Sequence, residues 1–153
     1  MKKLTFLLLL ALVTFISAYA QEKKEVWIKI SDDENQQVYL DKNSIEPGDS
    51  NDVTVWIMQM HIPPLHIESV NRKIYKSKTE YLFNTKLERY GIQKIQYFDA
   101  KGRKIKSFDY RLKTKIPDYR YSYPIFKKSI EKDILKTIYK YHPDLNPYRT
   151  DKK

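Results

Sequence analysis

The feature that most constrains this chain is the run Tyr90-Gly-Ile-Gln-Lys-Ile-Gln-Tyr-Phe-Asp-Ala-Lys-Gly-Arg-Lys-Ile-Lys-Ser-Phe-Asp-Tyr110. Two β-type stretches flank Asp99-Ala-Lys-Gly102, in which Asp99 opens a turn and Gly102 supplies the left-handed residue that closes it. That is the pattern of a three-residue hairpin loop ending in a glycine bulge. The turn predicts that Asp99 faces Arg103, Tyr97 faces Ile105, Ile95 faces Ser107 and Ile92 faces Tyr110. It places Ile95, Tyr97 and Ile105 on one face, with Phe98, Phe108, Ile92 and Tyr110 on the other. A hairpin with apolar residues on both faces needs further strands beside it and a cover on at least one face.

The flanking sequence supplies both. Val26–Ile30, Gln37–Asp41 and Val53–Met60 read as strands, separated by the polar clusters 31–35 and 46–52. Within Val53–Met60, Val53, Val55 and Ile57 alternate with Trp56, Met58 and Met60, as in a central strand. Pro63 and Pro64 lack ladder donors, so His61–His66 reads as a loop or arm. Lys73–Asn84 and Leu87–Asp99 follow as strands, with a bulge expected at Gly91, and Lys104–Leu112 closes the series. From Pro124, the residues Phe126, Ile130, Ile134, Leu135, Ile138 and Tyr141 fall on one side of a helix that ends before Pro143. The expected fold is α+β: an antiparallel meander of about six strands with one C-terminal amphipathic helix packed on a face.

The chain's start has a different character. Lys2 and Lys3 precede the apolar run Leu4–Ile16 and the small-residue site Ala18-Tyr-Ala20, the pattern of a cleaved secretory signal over residues 1–20. Residues 21–143 then form a single α+β domain, and 144–153 a polar tail. Without the signal's lysines the net charge falls from +10 to +8. The chain has no cysteine, so disulfides, thiol catalysis, thiolate metal sites and lipid attachment through an N-terminal cysteine are all excluded. The reading is a protein exported to the periplasm or secreted, and not lipid-anchored.

Catalytic patterns are missing. Only three glycines occur, none clustered to cradle a phosphate, and no serine sits in a nucleophile elbow. His61, His66 and His142 do not form the convergent set that zinc needs. The sequence therefore indicates a non-enzymatic protein with no cofactor and no metal. The alternatives are an inhibitor that inserts the His61–His66 arm into an enzyme and, more remotely, a hydrolase with a dispersed active site.

The candidate ligand-binding residues are Tyr119, Arg120, Tyr121 and Tyr123, with Lys127 and Lys128 at the expected helix start. Tyrosines beside cations suit contacts to a protein or an anionic glycan. Two lysines at a helix N-terminus oppose the dipole, which an anionic partner would offset. Nucleic acid is not an expected partner, and an exposed edge strand offers a route to a homodimer.

The order and spacing of several motifs carry a family resemblance. They are Trp27, Tyr39-Leu-Asp-Lys-Asn-Ser-Ile45, Val53-Thr-Val-Trp56, Tyr81-Leu-Phe-Asn84, Tyr90, Tyr97-Phe-Asp-Ala-Lys-Gly102 and Ile116-Pro117 before the terminal helix. Together they resemble the surface-adhesin protein E family, small exported proteins of Gram-negative bacteria. The resemblance implies a six-stranded antiparallel sheet with a helix on one face. It also implies kinship with a lipid-anchored adhesin for host extracellular-matrix proteins. Family members often carry a cysteine where Thr85 stands and another near Tyr141; both are absent here, as is the lipid-attachment cysteine.

Overall fold

The computed structural model describes residues 24–149, and the segment read as a signal lies outside them. Six strands run in the order β1 (Trp27–Asp32), β2 (Gln36–Asp41), β4 (Asp52–His66), β5 (Lys73–Asn84), β6 (Arg89–Phe98) and β7 (Lys104–Asp109). Every neighbouring pair is antiparallel. Two short strands complete the open sheet: β3 (Glu46–Pro47) against β4, and β8 (Tyr123–Pro124) against the start of β6. The α+β meander with one C-terminal helix is thus the fold.

One face is dry. Val38, Leu40, Val53, Val55, Ile57 and Phe83 are at most 1% exposed and meet Ile134, Leu135 and Ile138 of the helix α2 (Ile130–Tyr141). Each of these helix side chains contributes about 1.5–3 kcal/mol by leaving water, an upper value because unfolded chains already bury some apolar area. Leu145, in the turn after α2, packs against the same cluster. The opposite face carries Trp27, Tyr39, Trp56, Met58 and Met60, all partly exposed. There lysine ammonium groups stand over the rings: Lys78 Nζ is 5.0 Å from the Trp27 centroid, Lys76 Nζ 4.7 Å from Phe98 and Lys29 Nζ 5.7 Å from Tyr39. These are cation–π contacts, and Lys78 and Lys29 also pair with Glu25 and Asp32.

The helix begins later than its apolar stripe suggests. Tyr123 and Pro124 are paired with Tyr90 and Arg89, and the Ile125 amide donates to the Glu88 carbonyl at 2.9 Å. Residues 123–125 are therefore held by β6 and cannot be helical. Ser129 caps α2 instead, accepting from the Lys132 amide, with Glu131 and Asp133 in the first turn. Phe126 is 68% exposed and lies outside the packed stripe. Twelve helical residues span about 18 Å, and Tyr97 on β6, Phe108 on β7 and Tyr110 just beyond it lie outside the helix-covered core.

In the hairpin the turn is as expected. The Asp99 amide donates to the Arg103 carbonyl at 3.0 Å, Gly102 has φ +73°, and Phe98 faces Lys104. Beyond that pair the anticipated register is wrong by one residue. Ile105 is the extra residue of a bulge, so Tyr97 faces Lys106 and Ile95 faces Phe108. One inserted residue moves everything after it to the other face. Phe108 consequently joins Tyr97, centroids 6.1 Å apart, instead of Phe98.

Gly91 is not a bulge either. It pairs with Leu82, and the extra residue is Gln93, between the pairs Glu80–Lys94 and Tyr81–Ile92. Gly91 is needed because a Cβ there would stand 2.2 Å from the Arg120 carbonyl oxygen.

β4 also departs from expectation, because it continues past Met60 to His66. Residues 61–64 bulge opposite the single residue Tyr75, between the pairs Met60–Lys76 and Leu65–Ile74. Pro63 and Pro64 sit within that bulge, where β5 requires no donor from them. The segment is a strand continuation and not a free arm. His61 Nε2 lies 3.0 Å from Ser77 Oγ, and burial pushes the His61 pKa down from its ordinary value.

Gly91→Ala should cost about 1–3 kcal/mol in urea unfolding through overpacking against backbone. Gly102→Ala, with open space around it, should cost about 1–2 kcal/mol through the left-handed conformation alone. For His61, the unfolded chain binds the proton more readily than the folded one. Its contribution is complete above the unfolded value near 6.5 and is lost as pH falls below it. His61→Gln should flatten the decline of unfolding free energy between about pH 6.5 and 5.

A tyrosine cleft clamped to the sheet

After β7 the chain must return across the sheet to reach α2. It does so through Tyr110, a 3₁₀ turn at Lys113–Lys115, the single turn α1 (Pro117–Arg120) and β8. This return is held by one carboxylate. Asp52, the first residue of β4, is 2% exposed. Its Oδ2 accepts from Arg120 Nη2 at 2.6 Å, and its Oδ1 accepts from Tyr121 Oη at 2.5 Å and Asn84 Nδ2 at 2.8 Å. Arg89 Nε adds a bond to the Tyr121 carbonyl at 2.7 Å. Burial, with the Asp52 carboxylate beside it, raises the Tyr121 phenol pKa. The arrangement leaves Arg120 Nε buried without a partner, an unfavourable feature set against the charge-assisted bonds.

With Arg120 and Tyr121 turned toward Asp52, their neighbours Tyr119 and Tyr123 face the other way. They are 58% and 48% exposed and, with Tyr110, Lys113, Ile92 and Ile95, line a cleft of about 340 Å³. The cleft lies on the helix-side face of β6. Its wall is continuous with the core: Tyr123 stacks on Tyr90 at 5.2 Å, and Tyr90 contacts Tyr81 at 5.5 Å and Phe83 at 5.8 Å. Burial, with Glu131 nearby, pushes the Tyr90 pKa up to about 12. At the other end Lys113 Nζ stands 5.7 Å from the Tyr110 centroid.

The lining carries neither a carboxylate nor a histidine, and its two aliphatic hydroxyls are engaged: Ser122 donates to the Tyr119 carbonyl at 2.9 Å and Thr114 to the Arg111 carbonyl at 3.0 Å. Rings, phenol hydroxyls and one ammonium group are what it offers. Such a surface suits stacking and hydrogen bonding. A larger depression of about 560 Å³ lies on the opposite face, near Glu25, Asp41, Trp56 and Glu80. Its acids are already engaged: Asp41 accepts from the amides of Val26 and Asn43, Glu80 pairs with Arg111, and Glu25 pairs with Lys78.

The six candidate residues from the sequence therefore separate. Tyr119 and Tyr123 come together in the cleft, Arg120 and Tyr121 form the clamp behind it, and Lys127 and Lys128 are exposed in the segment before α2 without lining it. Tyr110, Lys113, Ile92 and Ile95 are added by the fold. Only the aromatic character of Tyr110, at the end of the hairpin, hinted at such a role.

The model of the family described as surface-adhesin protein E matches residues 27–138. The chain belongs to the surface-adhesin protein E family. Neither the curated proteins nor the solved structures give a significant match. The stretch shared with the protein E family begins at the first residue of β1 and ends at the last fully buried residue of α2, Ile138. It contains the whole clamp and the whole cleft. At Thr85 the hydroxyl and amide both donate to the Asn51 carbonyl, at 3.1 and 2.9 Å. Among the described residues no helix is long and apolar enough to cross a membrane.

Removing the carboxylate isolates the clamp's contribution. Asp52→Ala should lower unfolding free energy by about 1–3 kcal/mol, the cost of leaving buried donors unpaired. Arg120, 42% exposed at its side chain, can turn to water and limit that loss. Urea titration of the two proteins measures the difference.

Proposed function

We propose that this protein is an exported, non-enzymatic, adhesin-like binding protein of the cell envelope that holds a protein or glycan partner in the Tyr119–Tyr123 cleft. Family membership supports adhesion as the general role. The basic and apolar start of the chain, with its small-residue cleavage pattern, supports export. The absence of cysteine supports a form free in the periplasm or outside the cell, without a lipid anchor.

The observation that carries the reading is the presentation of two half-exposed tyrosine rings on a clamped backbone. Rigid aromatic side chains lose little entropy on binding and dominate contact energy at interfaces. Arg120 and Tyr121 act as positioning residues for that pair. Lys127 and Lys128, four and five residues after Tyr123 in the chain, add exposed positive charge.

The test is a pull-down from host matrix and envelope extract with the chain from Gln21 onward, followed by affinity measurement on the captured partner. The Tyr119→Ala, Tyr123→Ala double variant should bind at least about tenfold more weakly, since each hot-spot residue contributes more than about 1 kcal/mol. Its unfolding should stay cooperative, with a thermal midpoint only a few degrees lower because the Tyr123–Tyr90 stacking is lost. Undiminished binding by the double variant would remove the cleft from the account.

A further inference from the structure

We infer that the cleft's partner is an anionic linear glycan, whose acid groups are held by a second, cationic cleft at the far end of β6; this rests on the tyrosine cleft being a binding site. The second cleft, of about 320 Å³, is lined by Arg72 and Lys73 at the start of β5 and by Lys101 and Arg103 in the β6–β7 turn, over Tyr75. These cations are scattered in the sequence and meet only because β5 and β6 are paired.

Charge at this cleft is not balanced from within. Asp99 is its one lining carboxylate, and it is fully occupied. It accepts from the amides of Lys101 and Arg103, both at 2.9 Å, and from Arg103 Nε at 2.8 Å. Those bonds, the Arg103 amide first, hold its pKa below the usual carboxylate range. Arg103 is thereby neutralised. Arg72, Lys73 and Lys101 make no ion pair among the described residues. Three like charges around one depression repel one another, and an anion placed among them relieves that repulsion.

Both clefts open on the same face. Ser77 pairs with Tyr97 and Thr79 with Ile95, so strand alternation puts Tyr75 and Lys73 on the side of Ile95 and the tyrosine cleft. From Ile95 to Asp99 is about 13 Å of strand at roughly 3.3 Å per residue. A single extended ligand can therefore reach from ring-lined to cation-lined surface. The chemistry at the two ends differs: stacking rings and hydroxyls at one, arginine and lysine heads at the other. A chain of sugar rings carrying sulfate or carboxylate groups satisfies both. A purely charged polymer would use only the second, and a neutral sugar only the first.

The experiment measures binding of the chain from Gln21 onward to four immobilised probes: heparin, hyaluronan, dextran and poly-glutamate. Heparin carries sulfate and carboxylate, hyaluronan carboxylate alone, dextran no charge, and poly-glutamate charge without sugar. Heparin or hyaluronan should bind, more weakly as salt rises, and comparison of the two identifies the acid group. Charge reversal of Arg72, Lys73 and Lys101 to Glu should weaken that binding at least about 100-fold. Tyr119→Ala with Tyr123→Ala should weaken it at least about tenfold. Cooperative thermal unfolding confirms that the variants fold. Equal binding of poly-glutamate, indifferent to the tyrosines, would overturn the assignment in favour of an acidic-peptide site. Failure of both anionic glycans to bind, while the extract partner still depends on Tyr119 and Tyr123, would overturn it and leave the cleft reading intact. Loss of tyrosine dependence with every partner would overturn both.

Discussion

The buried carboxylate of Asp52 is the interaction on which the binding surface depends. A carboxylate at 2% exposure is unfavourable by several kcal/mol unless its oxygens are satisfied. Here an arginine, a phenol and an amide satisfy them, and the arginine and phenol come from the irregular return between sheet and helix. The same contact that stabilises the acid therefore fixes the path of residues 117–123. Gly91 makes that path available, because only a residue without Cβ lets the Arg120 carbonyl approach β6 so closely. Tyr119 and Tyr123 are exposed as a consequence of where Arg120 and Tyr121 must point.

The sheet presents three chemically distinct surfaces. Under α2 it is dry and aliphatic, and supplies most of the stability. On the opposite face, lysine ammonium groups stand over tryptophan, tyrosine and phenylalanine rings, which puts positive charge on an aromatic surface. The third surface is the flank of β6 and β7 that the short helix does not reach. There the rings of Tyr97, Phe108 and Tyr110 form a ladder, with Tyr119 and Tyr123 at one end and unpaired cations at the other. Helix length decides this division: had α2 begun at Pro124, it would have extended further toward that flank. The outer edges are guarded. β1 carries a bulge at Ile30, and β7 a bulge at Ile105 flanked by Lys104 and Lys106.

Much of the sheet was legible in the sequence, for identifiable reasons. β5 has neither glycine nor proline to interrupt it and was placed to the residue, from Lys73 to Asn84. The Asp99–Gly102 turn was readable because its conformation needs those residue types. Register was not, because the bulge at Ile105 leaves no mark: any residue can be the extra one. The helix start was misplaced because Pro124 suits an edge strand as well as a first helical turn, and because Phe126 happens to continue the 3.6-residue spacing. Ser129, the actual cap, lies inside that spacing and is hidden by it. At the site, Tyr119 and Tyr123 were legible as aromatic residues in a turn-rich stretch. Their separation from Arg120 and Tyr121 was not, since it depends on Asp52, nearly seventy positions away. Tyr110 and Lys113 arrive from another segment, and the cationic cleft from two, so neither has a local signature.

The account's central claim is that the Asp52 contacts preform the cleft, and native-state hydrogen exchange of residues 119–125 tests it most directly. In the unaltered protein the Ile125 amide, bonded to Glu88 and buried, should exchange nearly as slowly as amides in the middle of β5. In Asp52→Asn the amides of residues 119–125 should lose protection by an order of magnitude or more relative to β5, because the return opens without global unfolding. Protection of residues 119–125 that follows β5 unchanged in the variant would show that the clamp does not hold the cleft, and would contradict the account.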